Sequence, residues 1–257
     1  MEFLFKNTKI NYELFNNGKD LIVFLHGWGA NISLMKPLAN KIKEDFSFLF
    51  IDFPPFGNSQ QPCEAWNLDN YVNLTQQTIE KVCLENNFSS VSLISHSFGG
   101  RVAIKLATKM KIKNLVLIAS AGLKPKFSIK VKFSVLRYKI LKRLGSEKAK
   151  NMGSNDYRQL SPIMKQTFNN IIQENLKPFC KKIDSKTLIV FGNKDSQTPL
   201  YMGKRLNRAI KNSKLVTIKN ADHFAYLKHL DFVGNLISFF LISSWKLFLY
   251  FNFKLYN

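Results

Sequence analysis

Apolar and polar positions alternate with two different rhythms along the chain. Glu2–Lys6 and Lys9–Phe15 alternate with a period of two, which predicts two short strands, and Asn16-Asn17-Gly18 supplies turn residues after them. Leu21–Leu25, Ser47–Ile51, Val91–Ile94, Lys113–Ala119, Lys186–Phe191 and Lys214–Ile218 are short, nearly continuous apolar runs, the pattern of strands covered on both faces. Between them, Asn67–Asn87 carries Leu68, Tyr71, Val72, Leu74 and Ile79 on one helical face. Further helices are predicted after Gly99-Gly100, from Pro199 to about Ile210, and from Phe224 to about Phe240, with His229 inside the last. Strands and helices alternating at this spacing predict an α/β protein with a mostly parallel sheet and helices on both faces.

The rhythm is interrupted once. Residues 122–182 are Lys-rich and helical in pattern, with no strand, and sit between two strands of the sheet. The expected organisation is a core of residues 1–121 and 183–240, an inserted helical lid at 122–182, and an apolar tail at 241–257. Lys246, Asn252 and Lys254 interrupt the tail, and a spanning helix needs about 20 mostly uncharged residues. A tail packed on the body or lying at a membrane interface is expected instead.

Composition sharpens this picture in two places. With 257 residues and 46% apolar content the chain can bury a sizeable core. The formal charge of +21 admits acidic partners, although the general Lys and Asn richness of the chain accounts for much of it. The excess is concentrated in Lys124–Lys150, which holds ten Lys or Arg against one acid, Glu147. Ile129, Phe133, Leu136, Ile140 and Leu144 recur there at helical spacing, predicting an apolar stripe beneath a basic face. Phe133, Leu136 and Ile140 are candidates to roof a substrate pocket, and the basic face to meet an acidic partner or an anionic membrane; a merely solvated face is the alternative. No pattern of basic and aromatic residues suggests nucleic acid. Cys63, Cys83 and Cys180 lack C-x-x-C spacing, which fits a reducing cytosol, and M-E-F-L-F-K-N, without a basic stretch and a long apolar run, is not expected to act as a secretory signal. A cytoplasmic protein, peripheral at a membrane through lid or tail, is expected.

The candidate chemistry lies in loops that follow strands. Val91–Gly100, V-S-L-I-S-H-S-F-G-G, puts Ser97 on a sharp turn from strand to helix, which lifts its hydroxyl into a cleft. G-N-K-D ends in Asp195 after a later strand, and A-D-H-F places His223 after the last one. His26-Gly27-Trp28-Gly29 lets the backbone turn beside a ligand. Taken together, H-G-W-G, S-H-S-F-G-G, G-N-K-D and A-D-H-F resemble the α/β-hydrolase superfamily over roughly residues 1–240, with Ser95 standing where the elbow motif G-x-S-x-G has its first glycine.

The resemblance implies an α/β-hydrolase fold with an inserted helical lid, and a triad in the chain order Ser97, Asp195, His223. A serine hydroxyl needs a base, so His223 is expected to take the proton of Ser97 and Asp195 to orient the ring. Asp222, next to His223, is expected to serve the loop. His26 and His96 are expected to shape loops without transferring protons. The backbone N–H groups of Phe98 and Trp28 are the expected oxyanion hole, and the indole a cleft wall. Epoxide hydrolases and haloalkane dehalogenases carry Asp at the elbow, so those chemistries are set aside. Neither metal nor cofactor is implied. What remains is hydrolysis of an ester, thioester, amide or carbon–carbon bond, with lyase or perhydrolase side branches. Cleavage of a carboxylic ester or thioester through an acyl-enzyme is the expected reaction, with carbon–carbon bond hydrolysis as an alternative. H-G-W-G-A-N resembles small carboxylesterases acting on methyl esters of acyl-carrier proteins. The rival from another class is a basic membrane- or partner-binding protein on a hydrolase scaffold.

Overall fold

The structure is a computed structural model describing residues 1–42, 45–124 and 155–250. Its centre is an eight-stranded sheet in the order β1-β2-β4-β3-β5-β6-β7-β8. The strands β1 (Glu2–Phe5) and β2 (Thr8–Phe15) form a hairpin in which Glu2 faces Asn11 and Phe5 faces Thr8. Lys6 and Asn7 turn it at φ 48° and 58°; positive φ at both positions matches the twist of the flanking strands. β2 pairs antiparallel with β4 (Phe46–Ile51), and from there the ladder is parallel. It runs through β3 (Asp20–Leu25), β5 (Ser90–His96), β6 (Asn114–Ile118), β7 (Lys186–Gly192) and β8 (Ser213–Ile218).

The period of two divides the core. Leu21, Val23 and Leu25 of β3 join Leu93, Leu115, Leu117 and Phe191 in one cluster, whereas Ile22 and Phe24 join Ile94, Val116, Val190 and Val216 in the other. The first cluster is closed by α2 (Leu68–Asn86), α3 (Phe98–Leu106) and, later in the chain, Leu200–Ala209. α2 begins with a reciprocal cap between Asn67 and Asn70 and ends at Asn87 in the left-handed region. The second cluster is closed by α1 (Ile32–Ala39) and the C-terminal helices. Helix α1 was not expected from the sequence. Asn31 caps it, Asp52 accepts the N–H of Ile32 at 2.9 Å, and Pro37 stands inside it.

Between β6 and β7 the described chain contains α4 (Asn155–Gln159), α5 (Pro162–Gln173) and α6 (Lys177–Cys180). Thr167 and Asn170 of α5 bond both backbone groups of Trp66, and Ser161 bonds Gln61. The expected stripe residues Phe133, Leu136 and Ile140 lie outside the described residues.

After β7 comes α7 (Leu200–Ala209), and after β8 come α8 (Ala225–Lys228) and α9 (Leu230–Ile242). His229 does not sit within one closing helix as expected. It separates α8 from α9, because its ψ of 44° departs from helical values. α9 also runs past Phe240 to Ile242, and α10 (Trp245–Tyr250) folds back so that Phe248 is fully buried beside Phe240. Among the described residues no helix is long and apolar enough to cross a membrane.

Candidate active site

The chain leaves β3 toward α1 on one face and leaves β5 toward α3 on the other. The crevice at such a switch point, beyond the carboxyl ends of the strands, is where open α/β sheets bind ligands. The loops after β3 and β5 meet there.

Ser97 occupies φ 49° and ψ −109°, a strained conformation for a residue with a side chain. Neighbouring bonds impose it. Ser97 donates its N–H to the carbonyl of Ile118 at 3.0 Å and accepts from Ala121 at 3.0 Å. A Cβ on Gly99 would strike the carbonyl of Leu25, and one on Gly100 the hydroxyl of Ser120, so α3 must begin with two glycines to lie this close. Ser95 replaces the first glycine of the motif without crowding. Its buried hydroxyl donates to the carbonyl of Val116 at 2.9 Å.

Asp195 and His223 come from the loops after β7 and β8, which are bonded together. Lys194 donates to the carbonyl of Ala221, and Asn220 donates to the side chain of Asn193. His223 Nδ1 lies 2.8 Å from Asp195 Oδ2, with the Asp195 side chain fully buried. Asp195 Oδ1 accepts the N–H groups of Gln197 and Thr198 at 2.8 and 2.9 Å, and Oδ2 also meets the Thr198 hydroxyl at 2.8 Å. Burial opposes charging this carboxyl, but the bonds from His223 and Thr198 outweigh it and hold its pKa below the usual carboxylate value. Asp222 faces elsewhere, accepting from the Phe224 N–H and pairing with Lys228.

The other two histidines of the site are tied to backbone. His26 accepts the N–H of Phe53 on Nε2 at 2.8 Å, so Nδ1 carries the proton that goes to the Gly27 carbonyl at 2.7 Å. His96 donates Nε2–H to the carbonyl of His223 at 3.0 Å. Burial lowers their pKa values to about 4 and about 3. Both rings are neutral struts between loops at neutral pH. Asp52, which the sequence did not single out, binds Asn11, Ile32 and Asn58 and so sets the loop after β4. Thr198 was also missed, since one hydroxyl in a loop carries no pattern.

Ser97, His96, His223, Trp28 and Phe98 line one cavity of about 340 Å³. Trp28 stands edge-on to Phe56, Phe98 and Phe168 and forms part of its wall. Among the described residues the N–H groups of Trp28 and Phe98 have no protein acceptor; Phe98 is the first residue of α3, where no intrahelical partner exists. Tyr157, Leu160, Phe168, Ile171 and Ile172, from between β6 and β7, also line it. No cluster of His, Cys, Asp and Glu among the described residues could hold a metal ion.

Comparison with known proteins agrees with this architecture. The chain is 26% identical over 248 residues to an AB hydrolase superfamily protein of Bacillus subtilis, covering 85% of this chain and 90% of the relative. It is 24% identical over 238 residues to a pimeloyl–acyl-carrier-protein methyl ester esterase of Neisseria meningitidis, covering 82% and 89%. A solved α/β hydrolase enzyme from a Medee basin deep-sea metagenome library superposes with a TM-score of 0.74 over 95% of this chain and 98% of that one, at 17% identity. Residues 16–226 match the family described as serine aminopeptidase, S33, and the chain therefore belongs to that family of the α/β-hydrolase superfamily.

Proposed function

We propose that the protein is a serine hydrolase that cleaves a carboxylic ester or thioester through an acyl-enzyme. The observation that carries this reading is the 2.8 Å bond from His223 to the buried Asp195, facing the same cavity as the strained Ser97. In this mechanism the Ser97 hydroxyl attacks the carbonyl carbon while His223 Nε2, the ring nitrogen not bonded to Asp195, takes its proton. The Trp28 and Phe98 N–H groups receive the charge that develops on the carbonyl oxygen. The intermediate collapses as His223 returns the proton to the leaving alcohol or thiol. Water, deprotonated by His223, then attacks the acyl group and frees the carboxylate and Ser97. Asp195 keeps the ring in the required tautomer and stabilises its charged form. A short p-nitrophenyl ester and the matching thioester test this directly. Turnover is expected with the wild type and its loss with Ser97→Ala; a mutant retaining most of the activity contradicts the assignment.

A narrower reading concerns the partner that presents the substrate. Relatives named as esterases of a carrier-bound methyl ester, together with Lys124, Lys126, Lys130, Lys132, Arg137, Lys139, Lys142, Arg143, Lys148 and Lys150, support an acidic acyl carrier as the partner. The segment that holds these residues acts as a lid in this reading. An anionic membrane, met by the same segment and the apolar tail, is the other acidic surface they suit. One acyl group offered on a small alcohol and on the carrier separates these. Docking predicts a carrier preference that fades with salt. Equal KM values at all salt concentrations contradict it, and vesicle binding without carrier preference favours the membrane.

A further inference from the structure

One cation in the cavity has no part in the chemistry above. Arg101 lies one turn of α3 beyond Ser97, lines the same cavity and is only 6% exposed. Its Nη2 donates to the carbonyls of Ile171 and Glu174 at 2.5 and 2.6 Å, at the C-terminal end of α5. That use accounts for two of the five N–H donors of a guanidinium. Nε is buried without a partner, and Nη1 has no acceptor among the described residues. The Glu174 carboxylate, whose charge favours the cation through space, is bonded to Lys105 at 2.6 Å. No Asp or Glu of the described residues lines the cavity, whose other walls are largely apolar. Burial lowers the Arg101 pKa to about 10, so the group remains charged at neutral pH. A buried cation is ordinarily matched by an anion, and here the direct bonds go to carbonyl oxygens while the Glu174 carboxylate, already paired with Lys105, acts on it only through space.

We propose that Arg101 is a specificity-determining residue that binds a carboxylate on the acyl chain of the substrate, so that the enzyme prefers half-esters of dicarboxylic acids to neutral esters and rejects acyl chains ending in an ammonium. This rests on the ester-hydrolase reading for its turnover and on the cavity alone for its binding. Ser97 and Arg101 are separated by about 6 Å along the helix axis, which places the bound carboxylate a few carbons from the scissile carbonyl. The apolar wall between them, including Leu160, Phe168 and Ile171, takes the methylene groups.

The purely structural alternative is that Arg101 only caps the end of α5. In that case all substrates change together when it is replaced. The test measures kcat/KM for monomethyl adipate, methyl hexanoate and methyl 6-aminohexanoate in 1 M salt, where the general field of the +21 chain is screened within about 3 Å. The wild type is expected to favour monomethyl adipate over the ammonium ester at least ten-fold. Arg101→Gln, which retains an amide donor for the α5 carbonyls, is expected to lower the ratio of monomethyl adipate to methyl hexanoate at least ten-fold, with Arg101→Lys between. An unchanged ratio, or a wild type that favours the ammonium ester, overturns the proposal. Calorimetric titration of Ser97→Ala with adipate reads binding without turnover. Affinity at least ten-fold above that for hexane-1,6-diol is expected, and equal affinity overturns the proposal even if Arg101→Gln does not fold. If no ester is turned over but adipate binds as described, the ester-hydrolase reading fails and the anion site stands.

Discussion

Asp195 and Asp222 are both close to His223 in sequence or space, but only one has the geometry to orient its ring. Asp195 is buried and bonded to Nδ1, whereas Asp222 holds Phe224 and Lys228 at the surface. Asp195→Asn is therefore expected to lower kcat by about ten-thousand-fold, and Asp222→Asn by no more than a few-fold. Steady-state kinetics of both variants check this, and the reverse ranking moves the acid to Asp222. The three loops, their chain order and the type of each residue were legible in the sequence because each short motif ends a recognisable strand. Arg101, Thr198 and Asp52 were not, since their roles arise from backbone groups that only the fold brings near. Ser95 was legible as a small residue. Its bond to the Val116 carbonyl needed the register of β5 on β6.

At the scale of elements, the strands stand within a residue or two of their expected limits, because a sheet buried on both faces demands continuous apolar runs. Helix α1 was hidden by Pro37 and by a loop-like H-G-W-G-A-N in front of it, although Ile32, Met35 and Leu38 hold one helical face. The tail left two possibilities open: Phe248 of α10 packs against α9, while Leu247, Leu249 and Tyr250 are exposed. Phe248 is fully buried with Phe240 and Trp245 around it. Phe248→Ala should cost about 3 kcal/mol in urea unfolding. An unchanged midpoint would mean that α10 adds nothing to the core. The loops tied by His26 and His96 predict a pH response. Their folded pKa values, about 4 and about 3, lie below the ordinary histidine value of about 6.5, so the unfolded chain takes up protons first. Stability is expected to be full above about pH 6.5 and to fall as pH drops from there toward 4, by up to about 1.4 kcal/mol per pH unit for each ring. Urea midpoints that stay constant between pH 7 and pH 5 contradict this.

On the scale of the whole molecule, function follows from where the sheet changes direction. Every residue of the proposed mechanism lies beyond the carboxyl ends of β3, β5, β7 and β8; Ser97, His223, Trp28 and Phe98 line one cavity partly walled by residues between β6 and β7, and Asp195 is buried behind His223. The parallel sheet was legible from the alternation of apolar runs. The cavity lining was not, because residues such as Tyr157 and Phe168 are far from Ser97 in sequence and carry no motif. The central claim is that Ser97 becomes acylated, and covalent trapping tests it most directly. Incubation with a fluorophosphonate followed by intact-mass and peptide analysis is expected to show one adduct on Ser97. Labelling should disappear in Ser97→Ala and weaken strongly in His223→Ala. Undiminished labelling of the Ser97→Ala protein, or an adduct mapped to another residue in the wild type, would contradict the account.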